Sequence, residues 1–407
     1  MTQLDTDFIR AHFPAFAEPS LRNQVFAENA GGSYTCRHVI WRLTRFYKQR
    51  KVQPYGSYAA SMLAGDEMDE ARERLARLLN VQTGDVVFGP STTQNVYVLA
   101  QAFAEWLTPG QTIIVTNQDH EANSGAWRRL AEYGVQVREW QIDPETGHLS
   151  VEDLKNLLDD TVKLVCFPHC SNVIGEINPV NEITRLAHSA GAFVCVDGVS
   201  YAPHGLPNIG RIGADIYLFS TYKTYGPHQG VMVVKSALST LLANQSHFFN
   251  ANNPSKRLVP AGPDHAQVAA CAGMVDYIDA VYDHHFKAGR DGAGRAACVH
   301  DLFRSYEIDL MGPLLDYLQA RPDVRVLGPT KATRRAPTFA LAVQDPTRIA
   351  DRLAHHGIMA GASDFYAVRP LRAMGLNPAR GVLRLSFVHY NLTSEVDRVI
   401  KALDQVL

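Results

Sequence analysis

No uninterrupted apolar run of ~18 residues occurs in the chain, so no segment qualifies as a membrane-spanning helix. Basic charge is not in excess either: 39 Lys and Arg stand against 41 Asp and Glu, a formal net charge of −2. That balance removes the electrostatic footprint of a nucleic-acid or anionic-membrane binder. The opening stretch, MTQLDTDFIRAHFPAF, has Asp5 and Asp7 where a signal peptide needs positive charge, and it lacks an apolar centre. The expectation is a cytoplasmic protein. Cysteine is scarce. The six residues Cys36, Cys166, Cys170, Cys195, Cys271 and Cys298 mostly fall in apolar runs, as reduced buried thiols do. Cys166 and Cys170 lack the second Cys/His pair that a metal site needs, so no metal is expected. Internal repeats, low-complexity segments and a G-x-G-x-x-G turn are also missing.

What is present is a soluble globular balance, 46% hydrophobic and 20% charged over 407 residues, a length that favours two domains. Residues 1–20 read as a short amphipathic helix. From 66 onward helical and strand-like patterns alternate: DEMDEARERLARLLN, DVVFGP, STTQNVYVLAQAFAEWL, TIIVT, SGAWRRLAEYG, VQVREWQI, VEDLKNLLDD, VKLVCFPH, NEITRLAHSAG, FVCVDGVS, ADIYLFS and GVMVVK. Such apolar strands between helices predict a largely parallel sheet covered on both faces. The polar, Gly-containing stretch HHFKAGRDGAGR (284–295) interrupts the pattern. The predicted division is a large α/β domain over 20–283, with 1–19 and 284–407 forming a smaller α+β domain of two or three strands, a long helix from 302 and a closing helix.

In a parallel sheet, ligands gather beyond the carboxyl ends of the strands. Four such ends carry reactive or polar residues: Ser91-Thr92-Thr93, Asp119-His120-Glu121, Asp197, and Ser220-Thr221-Tyr222-Lys223. Taken singly each has a plain reading. Ser91–Thr93 suits a helix N-cap, His120 a packed histidine, Asp197 a cap or a ribose-binding acid, and Lys223 is one lysine among many. Together they supply an anion cradle at a helix start, an aromatic to lie on a ring, an acid for a ring nitrogen and an amine for an aldehyde. That set is what pyridoxal 5′-phosphate requires.

The segments ENAGGS (28–33), FGPSTTQN (88–95), DHEAN (119–123), HCSNVIGEINPV (169–180), VDGVSYAPH (196–204), FSTYKTYGPHQG (219–230) and RLSFVHYN (384–391) resemble the class V aminotransferase family, especially the cysteine desulfurases and desulfurase-like proteins. The resemblance runs from about residue 20 to the C-terminus. It implies the pyridoxal-phosphate fold type I, with a mostly parallel seven-stranded sheet in the large domain. It implies Lys223 as the lysine that takes the cofactor aldehyde and later moves the Cα proton, Asp197 as partner of the pyridine nitrogen, and His120 as the ring-stacking residue. Ser91, Thr92, Thr93, Ser220 and Tyr222 then hold the phosphate, Tyr222 standing where the desulfurases have a histidine. Asn172 approaches the phenolic oxygen. Arg384, with Asn29, Ala30, Gly31 and Asn172, receives the substrate, the guanidinium taking its α-carboxylate. The family is dimeric with shared sites, and 51–62 and 258–267 are the segments expected to reach the neighbouring site.

Departures from the pattern set the functional expectation. Ser200 replaces a glutamine beside the cofactor, and Gly262 replaces a threonine of the phosphate site. On the loop GIMAGASDFYAVRP (357–370), Tyr366 stands where the desulfurase nucleophilic cysteine belongs, and Gly361 replaces a nearby arginine. No cysteine follows Cys298, and persulfide formation needs a thiolate on that loop. The expected activity is therefore pyridoxal-phosphate chemistry on a small amino acid without a persulfide, with Tyr366 as a candidate catalytic group. The outcomes are β-elimination, β-decarboxylation, carbon–carbon bond formation or epimerisation. A two-stage aminotransferase and a non-catalytic pyridoxal-phosphate protein are the alternatives.

Overall fold

The chain forms three sheets in this computed structural model, which describes residues 2–407. β1 (Val25–Phe26) is a two-residue strand. The strands β2 (Val86–Gly89), β3 (Thr112–Thr116), β4 (Gln136–Trp140), β5 (Val162–Pro168), β6 (Phe193–Asp197), β7 (Ile216–Ser220) and β8 (Gly230–Val234) form the main sheet. Its spatial order is β2-β8-β7-β6-β5-β3-β4. The pairs from β7 to β4 are parallel, and β8 runs antiparallel to both β2 and β7. β2, β3, β7 and β8 are buried at every residue, as strands covered by helices on two faces must be. This topology brings the carboxyl ends of β2, β6 and β7 to one edge, and the first residue of β8 joins them there.

The C-terminal region contributes β9 (Arg325–Val326), β10 (Thr338–Ala342), β11 (Ile358–Met359), β12 (Gly361–Ser363) and β13 (Val382–Ser386). β11 pairs in parallel with β1, and the other four form an antiparallel sheet in the order β12-β13-β10-β9. The region holds five strands where the sequence pattern predicts two or three, because β9, β11 and β12 are too short to show a period. Leu310, Met311 and Leu314 pack on Phe339, Leu341, Leu383 and Leu385 together with Val396, Val399 and Leu403. Val25 and Ala27 join this core, and Glu28 bridges to Ser386. The segment 28–31 is thereby laid along β13, far from it in sequence.

Three local expectations are corrected. The N-terminal helix covers only Thr6–Ala11, capped by Asp5, and two 3₁₀ turns follow that begin at Pro14 and Pro19; proline cannot continue an α-helix. The helix over 124–134 is an α-turn, Gly125–Arg128, then a 3₁₀ turn, Arg129–Tyr133, ended by Gly134 at φ 80°. The long C-terminal helix starts earlier, at Gly292, because the Asp291 side chain accepts from Gly294 N–H and caps it. Among the described residues no helix is long and apolar enough to cross a membrane.

The turn after β6 is tight. A Cβ built on Gly198 would stand 2.2 Å from two ring carbons of Tyr217, whose hydroxyl lies 2.8 Å from His169 Nδ1. Gly198→Ala is expected to cost about 1–3 kcal/mol through overpacking and to lower the thermal midpoint. An unchanged midpoint by calorimetry would show that the Tyr217 ring gives way freely.

Candidate active site

The strand ends build the floor of the site. β6 delivers Asp197, whose carboxylate accepts from Val199 N–H at 2.8 Å. Burial pushes its pKa up to about 6, with that hydrogen bond and the nearby Lys223 amine pulling the other way. β7 ends at Ser220, and the following 3₁₀ turn, Thr221–Lys223, carries Lys223 into the interior. Burial lowers the Lys223 amine to about 8, helped by the positive charge of Arg384 and opposed by Asp197 and Glu28.

β2 leads through Ser91 into the helix Thr92–Trp106. Ser91 Oγ caps it by accepting from Gln94 N–H at 3.1 Å. Thr92 Oγ1 and Ser220 Oγ lie 2.8 Å apart, tying two strand ends to one helix start. Gly230 completes the cradle: a Cβ there would fall 2.5 Å from Thr92 N and 2.3 Å from the Ser91 carbonyl carbon. Only glycine permits that approach. The Tyr222 ring stacks on His228 at 4.7 Å.

His120 closes one side. Its Nδ1 accepts from Ala122 N–H at 3.1 Å. Burial, then the charges of Lys223 and Arg384, lower its pKa to about 3, so the ring is neutral. Its neighbour Asp119 is fully enclosed. One Asp119 oxygen accepts from Asn123 Nδ2 at 3.1 Å and the other has no partner. Burial, reinforced by Asp197, raises this carboxyl well above its usual range.

The C-terminal sheet lies behind Asn172 and the 365–366 loop, and none of its strand residues, Arg384 included, lines the cavity. Arg384, in β13, donates from Nη2 to Glu28 Oε1 at 2.5 Å and from Nη1 to the Asn172 carbonyl at 3.3 Å. Its Cζ sits 3.7 Å from the Phe365 ring centre. The Asn172 side chain donates to Phe365 O at 3.0 Å, leaving its Oδ1 without a partner. As oriented, its NH2 is spent on Phe365. Turning the amide over would present the NH2 to a cofactor oxygen instead. Asn29 spends its side chain on Ser386 O and Phe26 O and accepts from the Tyr390 hydroxyl. Ala30 N–H donates to Ser386 Oγ at 2.8 Å. Asn29, Ala30 and Ser200 border a narrow recess beside Lys223, and Gly31 packs on Glu28.

Tyr366 reaches the rim, 5.4 Å from the His120 ring, and is 71% exposed. Phe365 and Tyr366 both hold left-handed backbone, φ 51° and 56°, which is strained for aromatic residues. Glu121 N–H donates to Tyr366 O at 2.9 Å, and Arg369 pairs with Glu121 at 3.0 Å. These contacts hold the loop in place.

The cavity enclosed by these walls measures about 440 Å³, within the range of small-molecule pockets. The structure brings to it Ser91, Thr92, Thr93, His120, Asn172, Asp197, Ser200, Ser220, Tyr222, Lys223 and Tyr366. Asp119, Glu121, Tyr97, His228 and Cys170 line it as well. Asp119 and Glu121 flank His120 in sequence and were open to notice. Cys170 carried no signal beyond its apolar setting, and burial raises its thiol to about 12. The residues fit pyridoxal phosphate: a helix start with two hydroxyls for an anion, a buried carboxyl, and a buried amine lowered toward neutrality.

Comparisons with known proteins agree with this reading. The sequence model described as aminotransferase class-V matches residues 25–247. The aminotransferase-like protein FGM3 of Gibberella zeae is 32% identical over 414 residues, covering 98% of each chain. A cysteine desulfurase of Serratia proteamaculans is 28% identical over 98% of this chain and 97% of its own. Among solved structures, the cysteine desulfurase CsdA from Escherichia coli superposes with a TM-score of 0.82 at 24% identity, covering 99% of this chain and 98% of that one. The cysteine desulfurase from Thermococcus onnurineus does so at 0.86 and 22%, covering 100% and 99%. At those identities the structural likeness speaks to the fold.

The Lys223 amine attacks an aldehyde only when neutral, and its pKa is about 8. The rate of pyridoxal-phosphate uptake by cofactor-free protein should therefore rise roughly tenfold per pH unit below that value and level off above it. Visible absorbance during reconstitution measures this. A rate still climbing steeply beyond about pH 9 would mean a lysine with an ordinary pKa.

Proposed function

The chain belongs to the class V aminotransferase family of pyridoxal 5′-phosphate enzymes, and within it we propose an enzyme that transforms a small amino acid at Cα without a persulfide. When bound, the cofactor supplies an aldehyde for the substrate amine and a ring that draws electrons from Cα. The remaining work falls to the chain. Lys223 Nζ, buried and close to neutral, takes the proton from substrate Cα and returns it. The Asp197 carboxylate holds a proton on the ring nitrogen by its negative charge. Thr92, Thr93, Ser220 and the N–H groups at the helix start hold the phosphate, with the Tyr222 hydroxyl beside them. His120 covers the ring, Arg384 takes the α-carboxylate, and the 365–369 loop limits water.

The observation that carries this reading is the loop over the site. It contains no cysteine and offers Tyr366 to the cavity rim instead. The one thiol on the cavity wall, Cys170, donates to the Ser171 and Gly175 carbonyls, and burial holds it protonated. Neither site can accept sulfur. Transamination is the second reading, favoured by the name of the Gibberella relative. The working unit is a homodimer. Trp41, Tyr47, Tyr55, Tyr58 and Met62 are large apolar residues left exposed over 41–62, a concentration expected of a buried interface.

Incubating the holoenzyme with L-cysteine should leave no protein-bound persulfide by intact mass. Candidate amino acids should instead release pyruvate, alanine or carbon dioxide. A stoichiometric persulfide on any cysteine would end this reading. A lasting conversion of the cofactor to its amine form, reversed by a keto acid, would favour transamination. Tyr366→Phe should change rate or product ratio while the spectrum of the bound cofactor stays the same.

A further inference from the structure

Arg384 already has a carboxylate. Glu28 Oε1 lies 2.5 Å from Arg384 Nη2, and the arginine side chain is only 4% exposed against 25% for the glutamate. The Asn172 carbonyl takes Nη1, and the Phe365 ring covers the guanidinium face. Arg384 Nε and Glu28 Oε2 remain buried without partners. The berth for Glu28 is built by two glycines. A Cβ at Gly31 would come 2.9 Å from Glu28 Oε1, and one at Gly361 would come 3.0 Å from both Oε1 and Cδ of Glu28. Gly361 is also the direct cross-strand partner of Arg384. The glycine that replaces a loop arginine of the desulfurases is thus the space into which Glu28 fits.

A bidentate carboxylate needs two parallel N–H groups of one guanidinium. One of those groups is committed to Glu28. From this the geometry points to Glu28 as a specificity-determining residue: an internal carboxylate that competes with the substrate α-carboxylate for Arg384 and must swing aside for it to bind. It neutralises a buried cation while the site is empty, where an unpaired charge would be costly. It also raises the threshold for entry, so that weakly held anions and amines without a carboxylate do not displace it. This inference rests on the reading of Arg384 as the carboxylate-binding residue.

L-Alanine, which has no β leaving group, is the probe, titrated into holoenzyme and followed by the absorbance of the bound cofactor. Glu28→Gln keeps the shape and removes the competing charge. Its dissociation constant for L-alanine should fall about tenfold, while its melting temperature without ligand drops and its ligand-induced rise in melting temperature grows. Glu28→Asp, too short to reach, should move the constant in the same direction and serves if Glu28→Gln folds poorly. Unchanged or weaker L-alanine binding in both variants, with Arg384→Gln still abolishing it, would overturn the role of Glu28 alone. Normal L-alanine binding by Arg384→Gln would instead overturn the carboxylate reading, and this inference with it.

Discussion

Desolvation of ionisable groups around one cavity is the constraint on which the rest of the site depends. Lys223, Asp197, Asp119, His120 and Arg384 are all displaced by burial as the leading cause. In water these groups would be a lysine cation, two carboxylates, a half-titrated imidazole and a guanidinium. Here the amine moves toward neutrality, the imidazole is neutral, and one carboxyl of the Asp119–Asp197 pair is pushed toward protonation by the other. For Lys223 and Asp197 the shift narrows the difference between protonation states near neutral pH, whereas for His120 it fixes the neutral form. The sheet achieves this by delivering the residues at strand ends that helices already cover. The same burial leaves polar atoms of Asp119, Asn172, Glu28 and Arg384 without hydrogen-bond partners.

How much was legible in the sequence follows from distance along the chain. Lys223, Asp197 and His120 lie within a few residues of the strands that aim them, so local pattern and family resemblance located them together. The main sheet was legible for the same reason, since its strands are apolar and long enough to show. The β12–β13 pair was not, because β12 spans three residues and its pairing depends on a partner some twenty positions later. The Glu28–Arg384 pair joins residues 356 positions apart, and nothing in ENAGGS alone says that its first residue faces a guanidinium. Cys170 is a buried thiol, as its sequence setting predicts, but the core at that point is also the cavity wall.

The loop that carries Tyr366 is fixed by its neighbours. It is tied down by Glu121 through backbone and Arg369, and by Asn172 through Phe365. Two consecutive aromatic residues in left-handed backbone cost about 1–3 kcal/mol each, and those ties hold them there. A loop fixed in this way presents a shaped aromatic rim beside His120. Gly361, on the strand before this loop, makes room for the Glu28 side chain and the Phe365 ring.

The antiparallel placement of β8 has a consequence for how the chain is made. β2 sits at the sheet edge and pairs only with β8, Val86 opposite Val233. During synthesis β2 emerges first and waits for roughly 150 further residues, on the order of ten seconds at ribosomal rates, before its partner exists. Through that interval a four-residue apolar strand has every backbone hydrogen-bonding group open to a neighbouring nascent chain. The helix start that would hold the phosphate hangs on that waiting strand. The cradle therefore cannot assemble until β8 has emerged, and a ribosome stalled short of residue 230 would carry a chain that holds Asp197 and Lys223 but has no β8 to bring them to the cradle.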